Sequence, residues 1–373
     1  MRILHVADSH LGYTAYAKLD ENGYNQREVD VFDAFKQAID KALALKVDAV
    51  VHAGDLFDSI RPSNRAMHFA IEQIRRVSEQ GIPFIAISGN HSTPKLRETG
   101  SVFRLFEHLG NVHPIYGGAY EKVEIGDAVF HCVPHCASQD AFLAEVGKVA
   151  PVPGKKNVAV LHCGVSGVHR FTTGEFNENV LPSGALAEGF DYVALGHYHE
   201  HTEVAPICFY AGSTERFSFG EAGRLKGVME VDLDSRAFGF HELSIRPMLD
   251  LGRIDCKGLE NKDIVRAAEE IISKSNPDGK ILRITMEGMP RSQLDGLDVR
   301  AIRVTASDAL YFEPRFEPQD SSHEVQPGEA SFGDLRVEFE DYLKAVPVER
   351  LDKAKLLALG KAYLSGALDE REG

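Results

Sequence analysis

Short apolar runs rich in Val, Ile and Ala alternate with amphipathic stretches through the first half of the chain, the pattern of buried strands followed by helices. Five runs read as strands, at residues 3–7, 49–53, 83–88, 158–161 and 192–195. Between them Phe32, Phe35, Ile39 and Ala42 recur at helical spacing, as do Val102, Leu105, Phe106 and Leu109, which predicts core-facing helices. From about residue 228 the pattern becomes alternating, with residues 228–233 and 238–243 on either side of Asp234-Ser235-Arg236, a predicted hairpin that closes a sheet. The first domain is therefore expected to span residues 1–245. Residues 246–316 read as a small α+β unit: a strand, a helix over 264–272, then strands around 281–284 and 302–304. Residues 317–330 carry hardly an apolar side chain and read as a linker. Residues 331–373 read as a helical hairpin. Phe332, Leu335, Phe339, Tyr342, Leu343 and Val346 form one stripe, Pro347 ends the first helix, and Leu356, Leu359 and Tyr363 line the second.

The length of 373 residues allows two or three such units, and 43% hydrophobic with 26% charged residues excludes a disordered chain. No apolar run reaches the ~20 residues needed to span a bilayer, and the first strand runs into Asp8 without a signal-peptide core, so an intracellular, cytoplasmic protein with no membrane partner is expected. The five cysteines form no CxxC pair, which argues for free thiols and against a zinc finger. A net charge of −15 excludes a broadly basic surface, so any nucleic-acid contact has to be a local patch.

Each predicted strand ends in residues that can bind metal: Asp8-Ser9-His10, Gly54-Asp55-Leu56-Phe57-Asp58, Gly89-Asn90-His91, Leu161-His162-Cys163-Gly164 and Gly196-His197-Tyr198-His199. In an open α/β sheet the loops beyond the carboxyl ends of the strands converge on one crevice. Any one of these histidines is more often a structural residue than a ligand; the ordered set after five strands is what points to metal. Carboxylate, imidazole and carboxamide without thiolate suit Mn²⁺, Fe²⁺ or Zn²⁺, with Mn²⁺ leading, and are too rich in nitrogen for Ca²⁺. Asp55, in a glycine-led turn, is the candidate carboxylate to bridge two ions. By contrast His5, His52 and His131 lie in apolar runs and read as satisfied core residues.

The ordered set DxH, GDxxD, GNH, a later His and GHxH resembles the calcineurin-like metallophosphoesterase superfamily, which implies an α/β sandwich of two sheets flanked by helices. Within it, Asn25-Gln26-Arg27-Glu28, the run from Gly54 to Arg61-Pro62-Ser63, and Gly212-Ser213-Thr214-Glu215-Arg216 are similar to the SbcD-type nucleases of double-strand-break repair. The resemblance implies one ion on Asp8, His10, Asp55 and His199 and a second on Asp55, Asn90, His162 and His197, with Mn²⁺ as the expected metal. It makes His91 the catalytic residue, donating a proton to the leaving oxygen. It further implies 3′ to 5′ exonuclease and endonuclease action on DNA double-strand ends and single strands. The small unit becomes a DNA-capping domain, and the C-terminal hairpin, through Phe332, Leu335, Phe339, Tyr342, Leu356, Leu359 and Tyr363, grips an SMC-like coiled-coil ATPase. Homodimerisation is implied as well, for which the segment holding Phe103 and Phe106 could serve, although core packing explains it equally.

Two positions depart from the family pattern. Ser92 stands where an acidic residue commonly follows GNH, which would loosen support for His91. Asp58 stands where some relatives carry a His, and a solvated or helix-capping carboxylate is the simpler reading. Arg61, Arg65, Lys95, Arg97 and Arg216 follow the motif loops and are candidate phosphate contacts. Two other classes remain open: a small-molecule phosphodiesterase of the same fold, and a non-catalytic scaffold. Ser59 directly after GDxxD, in place of the Arg that phosphoprotein phosphatases use to clamp a monoester, argues against a phosphatase.

Overall fold

In the computed structural model the predicted strands pair into two six-stranded sheets. The described residues are 1–93, 100–167, 178–185, 188–318, 339–340, 342–343 and 353–369. They fall into two units, Met1–Gln319 and Asp320–Gly373. The first sheet runs Ala237–Glu242, Gly227–Asp232, Arg2–Val6, Ala49–His52, Phe84–Ile87 and Val112–Ile115. The second runs Thr202–Ala205, Cys208–Tyr210, Tyr192–Gly196, Lys156–His162, Ala128–Val133 and Glu121–Ile125. The central neighbours in both are parallel, so strand after strand delivers its carboxyl end to the same edge.

The period-two alternation of these strands builds an α/β sandwich. Ile3, Ala49, Val51, Ile85 and Ile87 of the first sheet share a core with Phe130, Val158, Val160, Tyr192 and Ala194 of the second. The alternate residues Leu4, Val6, Val50, Phe84 and Ala86 face outward onto the helices Gln26–Leu45 and Asn64–Ser78. On the far face Ala159, Leu161, Val193 and Leu195 pack under the helix Gln139–Val146.

Helix Gln26–Leu45 starts on Asn25, whose side chain accepts the amides of Arg27 and Glu28. The motifs around Arg27 and Glu215 form one buried network. The Arg27 guanidinium, 1% exposed, donates to Asp30 at 2.7 Å, Glu215 at 3.2 Å and the Arg216 carbonyl at 2.6 Å. Burial raises the Glu215 carboxyl even beside Arg27, so this pair is held at a desolvation cost.

Three sequence expectations give way. Residues 302–304 lie in the helix Val299–Thr305, started by Asp298, which accepts the Ala301 amide at 3.0 Å; Ile302 is buried while Val304 is 64% exposed. The third strand of the small sheet is instead Tyr311–Glu317, parallel to Ile281–Glu287 at an edge, where Pro314 is tolerated and where Glu317, expected in the linker, still pairs. Residues Val102–His108 form a 3₁₀ helix whose three-residue turn buries Phe103 and Phe106 and leaves Leu105 exposed. Phe103 and Phe106 are core residues beside Phe57, which removes them as a dimer surface.

In the second unit Phe339 lies over Gly360 of the helix Lys353–Asp369, where a Cβ would come within 2.1 Å of the ring, and Lys361 pairs with Glu340. Tyr342, Leu359 and Tyr363 are exposed, at 64%, 57% and 73%. Phe332 and Leu335 lie outside the described residues.

The Arg27 network predicts that Arg27→Met costs about 3–5 kcal/mol, because it leaves the Glu215 carboxylate buried without a partner. Adding Glu215→Leu should restore part of the loss. Denaturant midpoints for the wild type, the single and the double variant test this; an Arg27→Met midpoint equal to wild type contradicts it.

Candidate metal centre

Pairing continues past the strand ends. The Asp8 amide donates to the Gly54 carbonyl at 3.0 Å, His10 to Asp55 at 3.0 Å and Leu11 to Leu56 at 2.8 Å, so the first two motif loops run side by side. Gly54, at φ +98°, turns its loop against the His162 ring, where a Cβ would lie 2.1 Å from Nδ1. A Cβ at Gly89 would lie 2.2 Å from an Asp55 carboxylate oxygen. Asp8, His10, Asp55 and His197 all have positive φ, of 50°, 45°, 49° and 104°. Backbone strain of this kind gathers where side chains must be aimed at a common point.

Among the described residues three groups have ligand atoms within 4.8 Å of one another: Asp8 with His10 and His199, His10 with Asp55 and His91, and Asp8 with Asp55 and His162. Asp8 and Asp55 are both buried, at 0% and 2% exposure. Three of the imidazoles are held through Nδ1. His162 Nδ1 donates to the Ala53 carbonyl at 2.9 Å, which leaves Nε2 2.9 Å from Asn90 Oδ1 and 3.3 Å from Asp55 Oδ2. His199 Nδ1 lies 3.0 Å from Glu221 Oε1, and its Nε2 is 3.2 Å from His10 Nε2. His91 Nδ1 meets the Asp58 carbonyl at 2.9 Å, while its backbone amide donates to Asp55 Oδ1 at 3.0 Å. His197 falls in none of the three groups; its amide donates to both Asp8 oxygens at 3.0 Å and its Nε2 lies 3.2 Å from Glu178 Oε1.

These residues fit a divalent cation. His10 Nδ1 and His197 Nε2 are buried and make no hydrogen bond, although a carboxylate oxygen of Asp58 and of Glu178 lies 3.3 and 3.2 Å away. Electrostatics points the same way. Burial alone would raise the Asp55 carboxyl, but the His162 charge and hydrogen bond outweigh it and hold it far below the usual carboxylate range. Burial alone would lower His162, and the Asp55 and Asp8 carboxylates instead push it up to about 9. The cluster thus favours positive charge, whether a proton on His162 or a cation taken by its Nε2.

The helix-capping reading of Asp58 fails: Ser63 caps Asn64–Ser78, and Asp58 contacts His10 and His91. Because the Asp58 carbonyl holds His91, the side chain at 92 is not needed to orient that ring; Ser92 is buried. Arg216 is corrected as a phosphate contact, since its guanidinium donates to the Arg224 carbonyl at 2.9 and 2.6 Å and the Arg246 carbonyl at 3.1 Å and is buried. Arg65 is partly committed, paired with Glu28 and lying 3.7 Å over the Tyr24 ring, whereas Arg61 is exposed. Lys95 and Arg97 lie outside the described residues. His5, His52 and His131 are core residues bonded to Tyr192, Ser9 and Asn157. Glu178, Glu221 and Lys226 were not singled out by sequence reasoning; they lie outside the motifs and follow no strand carrying a ligand pattern.

A family model described as calcineurin-like phosphoesterase matches residues 1–201. The chain is similar to the DNA double-strand break repair protein Mre11 of Saccharolobus solfataricus, 27% identical over 303 residues that cover 77% of this chain and 75% of that one. The protein of the same name from Sulfolobus acidocaldarius is 29% identical over 305 residues, 77% of this chain and 75% of the relative. That of Archaeoglobus fulgidus is 29% identical over 414 aligned residues, covering 100% of this chain and 87% of the relative.

Titration of His162 gives a pH dependence with a definite sign. Its folded pKa lies above the ordinary value near 6.5, so its stabilising contribution is complete below pH 6.5 and is lost as pH rises through about 9. In chelator, stability should fall by on the order of 3 kcal/mol across that window, and His162→Gln should remove this part of the fall. Unfolding midpoints measured from pH 6 to 10 check it; identical slopes for wild type and variant contradict it.

Proposed function

Because the chain belongs to the calcineurin-like phosphoesterase family, we propose that it is a divalent-metal-dependent DNA nuclease. It is a phosphodiesterase that processes ends in double-strand-break repair by endonucleolytic and 3′ to 5′ exonucleolytic cleavage. One observation supports the reaction class above all: Asp55 falls in two of the three groups of candidate ligands, one with His10 and one with His162, the two histidines assigned here to different ions. A single carboxylate at this place could be shared by two divalent cations. The names of the Mre11 relatives support the substrate.

In this reading Asp8, His10, Asp55 and His199 hold one ion, and Asp55, Asn90, His162 and His197 the other, with Mn²⁺ suited to the mixed oxygen and nitrogen set. Ions bound there supply a water of lowered pKa and offset the charge of the phosphodiester oxygens. The carbonyls of Ala53 and Asp58 and the carboxylate of Glu221 fix the rings of His162, His91 and His199, so that no reorientation is required as the reaction proceeds. His91 donates a proton to the departing 3′ oxygen and stabilises charge on the phosphoryl group. The 246–316 unit caps the DNA, held beside the first motif loop by the Tyr16–Tyr311 stack, centroids 3.9 Å apart, and by Arg246 on Asp30 at 2.7 Å.

On end-labelled duplex DNA the protein should cleave with Mn²⁺ and fall silent in chelator. His91→Ser should lower turnover by about 10²–10⁴-fold with the bound metal content unchanged. Loss of metal from His91→Ser would make His91 a ligand, and cleavage of a chromogenic diester but not of DNA would move the substrate to small molecules.

The C-terminal unit is proposed to dock on an SMC-like coiled-coil ATPase through its exposed Tyr342, Leu359 and Tyr363, with the nuclease acting as a homodimer. Short helices with exposed apolar side chains gain most by burying them on a partner. A chain truncated after Phe316 should keep manganese nuclease activity and lose co-purification with the ATPase; retained binding refutes the assignment.

A further inference from the structure

One charged group near the centre has no part in the roster above. Lys226, at the start of the strand Gly227–Asp232, is 1% exposed. Its ammonium reaches three acceptors: the Glu221 carboxylate, the His199 carbonyl at 2.7 Å and Ser213 Oγ at 2.7 Å. All three of its donors are thus committed, and the side chain is fixed. The other oxygen of Glu221 lies 3.0 Å from His199 Nδ1. His199 is therefore held twice by one lysine, through its own backbone carbonyl and through the carboxylate against its ring.

Such an arrangement is costly to build. A buried ammonium is desolvated, and an apolar side chain of similar volume would fill the space at lower cost. The expense is accounted for if the charge has a task. A carboxylate on Nδ1–H selects the tautomer whose Nε2 carries the lone pair, and the lysine, bonded to its other oxygen, holds that carboxylate in place. In the Asp8–His10–His199 group the Nε2 of His199 lies 3.2 Å from His10 Nε2, whereas His162 is held by a different group, the Ala53 carbonyl.

We propose that Lys226 and Glu221 are positioning residues that set the cation affinity of the Asp8–His10–His199 position and leave the Asp55–His162 position unaffected. The proposal rests on the two-cation reading. It is tested by Mn²⁺ titration of the full-length chain, with free Mn²⁺ followed by electron paramagnetic resonance, for the wild type, Glu221→Gln, Lys226→Met and the double variant. The wild type should bind two ions. Glu221→Gln should weaken one of them by about 10–100-fold and spare the other. Lys226→Met should weaken the same ion, and the double variant should be no weaker than Glu221→Gln alone, since both act through one route. Two ions in the wild type with both affinities unchanged in Glu221→Gln overturns the proposal alone. So does equal loss at both positions in a chain with wild-type circular dichroism, which would mark general damage. A single ion in the wild type overturns the two-cation reading and, with it, the selectivity proposed here.

Discussion

Asp55 is a carboxylate with almost no access to water, and such a group is tolerated only where positive charge and hydrogen-bond donors lie beside it. Most of the centre can be understood from that condition. Gly89 gives up its side chain so that the backbone can pass against the Asp55 oxygens, and the His91 amide turns to donate to one of them. Gly54 makes room for the His162 ring, whose Nε2 approaches the other oxygen. Each loop carries a candidate ligand and at the same time closes around Asp55. The positive φ values at Asp8, His10, Asp55 and His197 mark where the chain strains to do so.

The sandwich can hold that strain because its strands are short and apolar on both faces. With Ile3 and Val51 against one core and Leu4 and Val50 against another, a one-residue slip in either strand would exchange buried surfaces, so register is tightly specified. Register at the strands fixes which residues emerge at the carboxyl edge. The 3.0 Å bond from Asp8 to Gly54 carries that order two residues beyond the strand ends, into the site.

The alternation of apolar runs and the residue types that follow them were legible in the sequence because both are local: a strand of four or five residues and the loop after it are read together. The grouping of Asp8, His10, Asp55, His91, His162 and His199 follows from that local order once the central strands are parallel. What was not legible is long-range. Glu178, Glu221 and Lys226 reach the centre from segments outside the motifs, through contacts that only the folded chain makes. Arg216 read as a free cation because sequence records its charge and not the carbonyls of Arg224 and Arg246 that occupy it. Residues 302–304 read as a strand because the β-branched Ile302 and Val304 outweighed the weaker cue of an Asp298 cap.

Charge imposes a last condition on the proposed reaction. A chain of net charge −15 whose centre is lined by Asp8, Asp55, Asp58, Glu178 and Glu221 repels a polyanion, and the cations that sequence reasoning set beside the site are in part spent internally. Arg216 serves the fold, and Arg65 is shared with Glu28. Among the described residues, attraction for a phosphodiester at the proposed reacting position would then come chiefly from divalent charge at the carboxylates themselves. Substrate and metal would accordingly bind as coupled ligands, each raising the affinity for the other, because each screens a repulsion that the other would face alone. A positioning group that tunes one cation, as Lys226 does through Glu221 and His199 in the proposal above, would thereby tune DNA affinity without touching DNA.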